Sequence, residues 1–296
     1  NAVLGRGNYI VAEADESDGS FLKMAPSIGV VTNIDREHLD FYRDLDDIIA
    51  AFAAFLDRIP FYGLAVLCLD NEAVQALIPR VHKRFTTYGL STQADWQARR
   101  VACEGLTCRY ELHHHGQDLG TVRLGLPGIH NVLNSLASIA VGRELGIDLE
   151  VIRKALEGLE GVRRRLEIKG EKAGITVIDD YAHHPTEIKT TLASVQESWQ
   201  GRRKVIVFQP HRYTRTQALF DEFTRAFYQS DVLLLLPIYA ASEDPIPEVN
   251  HRLLCEGIRA HGHKQVLCAD DADDALARLA ALAAPGDVVI TLGAGD

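Results

Sequence analysis

Short β-branched runs alternate with segments of 3.6-residue apolar periodicity along most of this chain, and that alternation restricts its fold more than any other feature. A buried strand of four or five residues followed by an amphipathic helix is a βα unit, and successive units build a parallel sheet covered by helices. The second half shows the pattern best. Residues 175–178 are β-branched throughout, and Pro185, Thr186 and Glu187 open a helix carrying Ile188, Leu192, Val195 and Trp199. Further strands are predicted over 204–208, 232–236, 265–268 and 288–292. Helices are predicted through Leu219, Phe220, Phe223 and Phe227, and over 252–259 and 272–283.

In the first half, strands are expected over 9–12, 28–31, 64–67 and 84–88. One helix carries Leu45, Ile48, Ile49, Phe52, Phe55, Leu56 and Ile59 and ends at Pro60; others cover 72–78, the stretch with Leu133, Leu136, Ala137, Ala140 and Val141, and 149–156 behind Asp148. Between them, 96–124 reads as short alternating strands, including 107–112 and 121–124, forming an antiparallel hairpin whose turn holds His113, His114 and His115 as a solvated loop. Gly158 and Gly161 make 157–162 a linker. The expectation is therefore two α/β domains, 1–160 with the added hairpin and 161–296.

With 296 residues, both domains can bury full cores. Lys and Arg number 31 against 41 Asp and Glu, for a net charge of -10, so no nucleic-acid partner is expected, because a phosphate backbone is held by clustered cations. The most apolar run, 232–241, is too short to span a bilayer and contains Pro237, so no membrane partner is expected either. Five cysteines, none in a CxxC pair and with no secretory leader, predict unpaired thiols in a reducing cytoplasm. The chain opens at Asn1 without methionine and stops at Asp296 directly after a strand and a Gly-Ala-Gly turn; both ends read as cut. Oligomeric state has no signature.

Ionisable side chains collect where strands end, which is where open α/β sheets bind ligands. Residues 13–20 place Glu13, Asp15, Glu16 and Asp18 in one loop, either a hard-oxygen site for Mg²⁺ or a set of solvated turn carboxylates. Residues 32–40 bring Asp35, Glu37, His38 and Asp40 to a neighbouring strand end. His130 and Asn134 lie four apart on one helical face, and an amide there has the donor and acceptor that an adenine edge requires. Arg163, Arg164 and Arg165 follow the linker, as phosphate ligands or as a basic surface. Asp179 to His184 are expected on a strand-to-helix loop, as a site or as helix caps and solvated histidines. Arg212 and Arg215 sit at the start of a helix, where the dipole disfavours cations, which points to an anionic ligand.

In order along the chain, EADESDGSF (13–21), VVTNIDREHLDFY (30–42), LPGIHNVLNSL (126–136), GVRRRLE (161–167), DDYAHHPTE (179–187) and FQPHRYTRT (208–216) resemble the bacterial Mur ligases, the last two being specific to one member. The resemblance implies that 1–160 is the central ATPase-type domain and 161–296 a C-terminal Rossmann-like domain. It implies ATP-dependent joining of L-alanine to the carboxylate of UDP-N-acetylmuramate through an acyl phosphate, in peptidoglycan precursor synthesis. By the same resemblance Glu13 and His38 bind Mg²⁺, His130 and Asn134 contact adenine, Arg165 reaches the phosphates and Asp179 lies near the ribose. Tyr181, His183, His211, Arg212 and Arg215 line the pocket for the muramyl substrate and alanine, with Arg165, His183 and Arg212 as the catalytic set, and domain closure assembles the site.

Two departures stand out. The family's GTHGKTTT loop and the UDP-binding domain before it do not occur in this sequence; taken as complete, the chain is expected to bind ATP poorly and not to catalyse ligation. Ile129 stands where the family commonly has arginine. The rival readings are an inactive fragment or non-catalytic nucleotide- or UDP-sugar-binding module, and a metal-dependent hydrolase using Asp179, Asp180, His183 and His184.

Overall fold

The computed structural model describes residues 4–38 and 41–295. Asn1, Asp296 and the Leu39-Asp40 part of the 30–42 motif lie outside the described residues. Two compact units form, one of residues 1–100, 111–121 and 133–152, the other of 101–110, 122–132 and 153–296.

The first unit contains β1 (Ile28–Val31), α1 (Leu45–Asp57), β2 (Leu64–Cys68), α2 (Glu72–Leu77) and β3 (Phe85–Gly89), with β1, β2 and β3 paired in parallel. Asp44 and Asn71 cap the two helices by accepting the backbone N–H of Asp47 and Val74. Phe21 fills the space under α1, its ring 5.3 Å from Phe52 and 5.2 Å from Phe55, so the helix's periodic face is core as expected.

β4 (Trp96–Glu104), β5 (Thr107–His114) and β6 (Gln117–Leu124) extend this sheet in the order β1-β2-β3-β4-β5-β6. The strands run longer than the sequence pattern indicates, joined by two-residue turns at 105–106 and 115–116. His113 and His114 are therefore strand residues, not a solvated loop. His113 is buried, His114 stacks 3.7 Å from Trp96, and only His115 is a turn residue, beside Asp95 at 3.4 Å. Helices α3 (Ile129–Glu144) and α4 (Leu149–Glu157) follow.

The second unit's sheet comprises β7 (Glu167–Lys172), β8 (Ile175–Asp180), β9 (Lys204–Phe208), β10 (Val232–Leu235), β11 (Val266–Cys268) and β12 (Val288–Leu292), ordered β11-β10-β9-β12-β8-β7. All neighbours are parallel except β7 with β8. Helices α5 (Pro185–Ser198), α6 (Tyr213–Ala218), α7 (Phe220–Thr224), α8 (His251–Ala260) and α9 (Ala272–Leu282) accompany it. Ile188, Leu192 and Val195 of α5 pack on Ile178, Ile206, Phe208 and Ile290, which explains why these strands are apolar at successive positions. β12 enters between β8 and β9, so the winding reverses there, and a crevice is expected outside the carboxyl ends of these three strands.

Several expectations are corrected. Residues 9–12 are not a strand: they belong to no regular element, and Tyr9, Ile10 and Val11 are exposed. Asp179 and Asp180 belong to β8, and the helix cap is His184, whose ring accepts the Thr186 N–H. The helix after Arg212 breaks at Leu219 into α6 and α7, which puts Arg215 in the last turn of a six-residue helix, where the dipole favours a cation. The misfit argued from sequence therefore holds for Arg212 alone. Cysteines also pair: Cys103 with Cys108 across the β4–β5 turn, and Cys255 of α8 with Cys268 of β11, while Cys68 is free and buried.

Candidate active site

The crevice of the second unit is built from the ends of three strands. β8 delivers Asp179 and Asp180, then Tyr181 to His184; β9 delivers Gln209 to Arg212; β12 is followed by Gly293. Asp180 is buried and accepts the N–H groups of Leu166 (2.8 Å) and Ala182 (2.9 Å) and the Thr191 hydroxyl (3.2 Å), while burial pushes its carboxyl up. Its role is structural: it fastens the chain before β7 to the turn after β8. Asp179 accepts the Thr291 hydroxyl at 2.7 Å and meets Arg164 Nε at 3.3 Å, so protein groups already hold it.

Arg164 reaches further. Its Nη2 donates to the Gly293 carbonyl at 2.7 Å, joining the segment before β7 to the end of β12. The guanidinium carbons of Arg164 and Arg165 lie 5.0 Å and 5.7 Å from the centre of the Tyr181 ring, a double cation–π contact. Tyr181 in turn meets the His183 ring edge-on at 5.2 Å. His183 Nδ1 is 3.0 Å from the Tyr181 carbonyl, and its ring lies 6.0 Å from that of His211. His211 stacks on Tyr239 at 5.5 Å and accepts from Arg215 Nη1 at Nδ1, 3.3 Å away. An arginine can only donate, so His211 is neutral with its proton on Nε2. Burial first, then Arg215, His183 and Arg212, lower its pKa to about 4, in agreement. Arg212 has φ 72°, and its N–H donates to the Tyr239 carbonyl at 2.8 Å.

His130 lies in the first turn of α3 and turns toward α5, with Nδ1 3.3 Å from Ser194 Oγ. The Ser194 hydroxyl proton goes to the Thr190 carbonyl (2.9 Å), which leaves His130 Nδ1 as the donor. Burial and the charge of Arg165 lower the His130 pKa to about 4. Asn134, one turn on, is exposed and falls in the first unit.

The second unit thus gathers Arg165, Asp179, Tyr181, His183, His211, Arg212 and Arg215 about one crevice, with arginines beside the three rings of Tyr181, His183 and His211. Guanidinium groups gathered in this way are suited to pairing with anions. Arg164, Glu187, Thr291 and Tyr239 also belong to the crevice. Arg164 is legible in the sequence only as one of a run of three arginines, and Thr291 and Tyr239 carried no signal, because a strand threonine and a loop tyrosine acquire partners only through folding.

Glu13 and His38 lie in the first unit, where a small pocket is lined by Glu16, Asn33, Asp35, Glu37, His38 and Tyr42. Glu16, not Glu13, meets His38, at 3.7 Å; Glu13 is exposed. Among the described residues no three His, Cys, Asp or Glu side chains converge as a metal cage. The oxygen-rich donors nonetheless suit Mg²⁺, which keeps several waters and needs only one or two carboxylates. The described residues include no helix long and apolar enough to cross a membrane.

Fold and crevice together define a pair of α/β units, one doubly wound with arginine, histidine and tyrosine side chains gathered at its switch point. Residues 3–142 match the family model described as the Mur ligase middle domain, and 164–295 match the Mur ligase, glutamate ligase domain. The chain belongs to the Mur ligase family. It is 60% identical over all 296 residues to a UDP-N-acetylmuramate--L-alanine ligase of Desulforapulum autotrophicum and 61% identical to that of Desulfatibacillum aliphaticivorans, spanning 65% of the length of each. The crystal structure of UDP-N-acetylmuramate-alanine ligase from Thermotoga maritima superposes with a TM-score of 0.75 at 27% identity, over 96% of this chain and 60% of that one.

Proposed function

We propose that this chain forms the catalytic portion of an ATP-dependent ligase that joins L-alanine to the carboxylate of UDP-N-acetylmuramate in the cytoplasm, during peptidoglycan precursor synthesis. The observation that carries the reading is the match over all 296 residues to ligases of that name. The arginine-rich crevice supplies the fitting geometry.

A carboxylate is a poor electrophile, and transfer of the γ-phosphoryl group to its oxygen makes the acyl carbon reactive. The amine of L-alanine then attacks, and the tetrahedral intermediate expels phosphate. In this reading residues 1–160 hold ATP, with His130 and Asn134 at the adenine and Asp179 toward the ribose, and residues 161–296 hold the acceptor. Glu13 and His38, with Glu16 beside it, hold Mg²⁺, which neutralises phosphate charge. Arg165 and Arg212 stabilise the developing negative charge, and His183 takes the proton that the alanine ammonium must lose before it can attack. Tyr181, His211 and Arg215 orient the muramyl substrate and the alanine carboxylate, a task suited to a guanidinium.

The test is phosphate release from ATP, measured for this chain and for a protein of its relatives' full length, with each substrate present or withheld. Release that requires both UDP-N-acetylmuramate and L-alanine is expected from the longer protein. Release independent of both substrates would overturn the assignment and leave a nucleotide-binding relative.

A further inference from the structure

We infer that Glu187 is a positioning residue of this site: beyond capping α5, its carboxylate orients the His183 imidazole and the Arg165 guanidinium together. The inference rests on the crevice being the ligase site.

Glu187 is the third residue of α5, and an ordinary capping glutamate at that place bonds only the backbone at the helix start. Here Oε2 accepts the N–H groups of His183 (3.0 Å) and His184 (3.2 Å) and also lies 3.4 Å from His183 Nδ1. The same Nδ1 faces the Tyr181 carbonyl at 3.0 Å. A carbonyl and a carboxylate can only accept, so Nδ1 carries the proton and Nε2, on the far edge of the ring, is the nitrogen with the lone pair. The second oxygen, Oε1, lies 3.5 Å from Arg165 Nη1. One side chain at a helix start therefore ties the loop that carries His183 to Arg165 of the segment before β7.

Burial raises the Glu187 pKa, but His183, the two backbone N–H groups and Arg165 outweigh it and hold the carboxyl below its ordinary range. The ionisable groups around it are Tyr181, His183 and His184 from its own loop, Arg164 and Arg165 from the segment before β7, and His211 and Arg215 across the crevice. An anion at Glu187 offsets the repulsion that Arg165 and Arg215 exert on a protonated His183.

The test is nuclear magnetic resonance titration of the protein isotopically labelled at histidine, with His183 assigned by its loss in H183Q. E187Q retains an oxygen that accepts the backbone N–H groups, so the cap survives while the charge is lost. In E187Q, His183 is expected to titrate about one pH unit lower, while the Tyr181 carbonyl still keeps the neutral ring's proton on Nδ1. In the full-length ligase, kcat is expected to fall at least 10-fold with KM for ATP unchanged. A His183 titration identical in wild type and E187Q would overturn the inference and leave Glu187 as a cap alone. The titration does not depend on turnover, so a wild-type protein that fails to ligate counts against the ligase reading only.

Discussion

His130 shows how a single side chain can carry a chemical consequence that its sequence position does not reveal. Burial against α5 and the nearby Arg165 lower its pKa from 6.5 to about 4, so folding favours the neutral ring. The unfolded chain then binds one more proton than the folded chain between these values, and stability rises with pH across that window. Acidification from pH 6.5 toward pH 4 is expected to remove on the order of 2 kcal/mol through this group, after allowance for screening. Urea midpoints measured at several pH values should show a shallower acid loss in H130Q than in wild type. His211, lowered in the same way by burial and Arg215, contributes in the same direction.

Among the elements, the junction between α3 and α5 is tightly constrained. Gly128 precedes α3 with φ 88°, and a Cβ there would lie 2.3 Å from Ser194 Oγ and 2.9 Å from the His130 ring. Both the left-handed backbone and the contact exclude a side chain. G128A is expected to cost more than about 2 kcal/mol in denaturant unfolding. Adding S194A should relieve the collision but not the backbone strain, so the double variant is expected to regain only part of the loss.

The elements also show where the sequence was readable. The periodic faces of α1 and α5 and the apolar runs of β2, β8, β9, β10 and β12 fall close to their expected places, because burial on both faces of a parallel sheet demands apolar runs. β7 was not legible: Glu167–Lys172 is mostly exposed and has no apolar alternation, and it is a strand only because β8 offers it an edge. The break at Leu219 is equally invisible, since Leu219, Phe220, Phe223 and Phe227 keep helical spacing across it.

At the scale of the whole molecule, β12 is the last strand in sequence but sits between β8 and β9 in the sheet. It bonds both neighbours over its full length, from Val288 to Leu292, and its loop receives Arg164. Deleting residues 288–295 is therefore expected to abolish the second unit's cooperative unfolding transition and to expose that unit to proteolysis, rather than to trim an edge. Retention of a protease-resistant second unit with native-like circular dichroism would contradict this.

By itself the sequence determined the α/β class, the succession of strands and helices, and the strand ends at which charged and aromatic residues accumulate, because these follow from periodicity and turn chemistry over a few residues. Only the tertiary structure decided the strand order that brings β12 between β8 and β9, and the pairing of Cys103 with Cys108 and of Cys255 with Cys268. It likewise decided that Asp180 is a buried fastener, and that Arg164, Thr291 and Glu187 complete the crevice. Those facts depend on contacts between residues up to 129 positions apart, for which the local pattern holds no information.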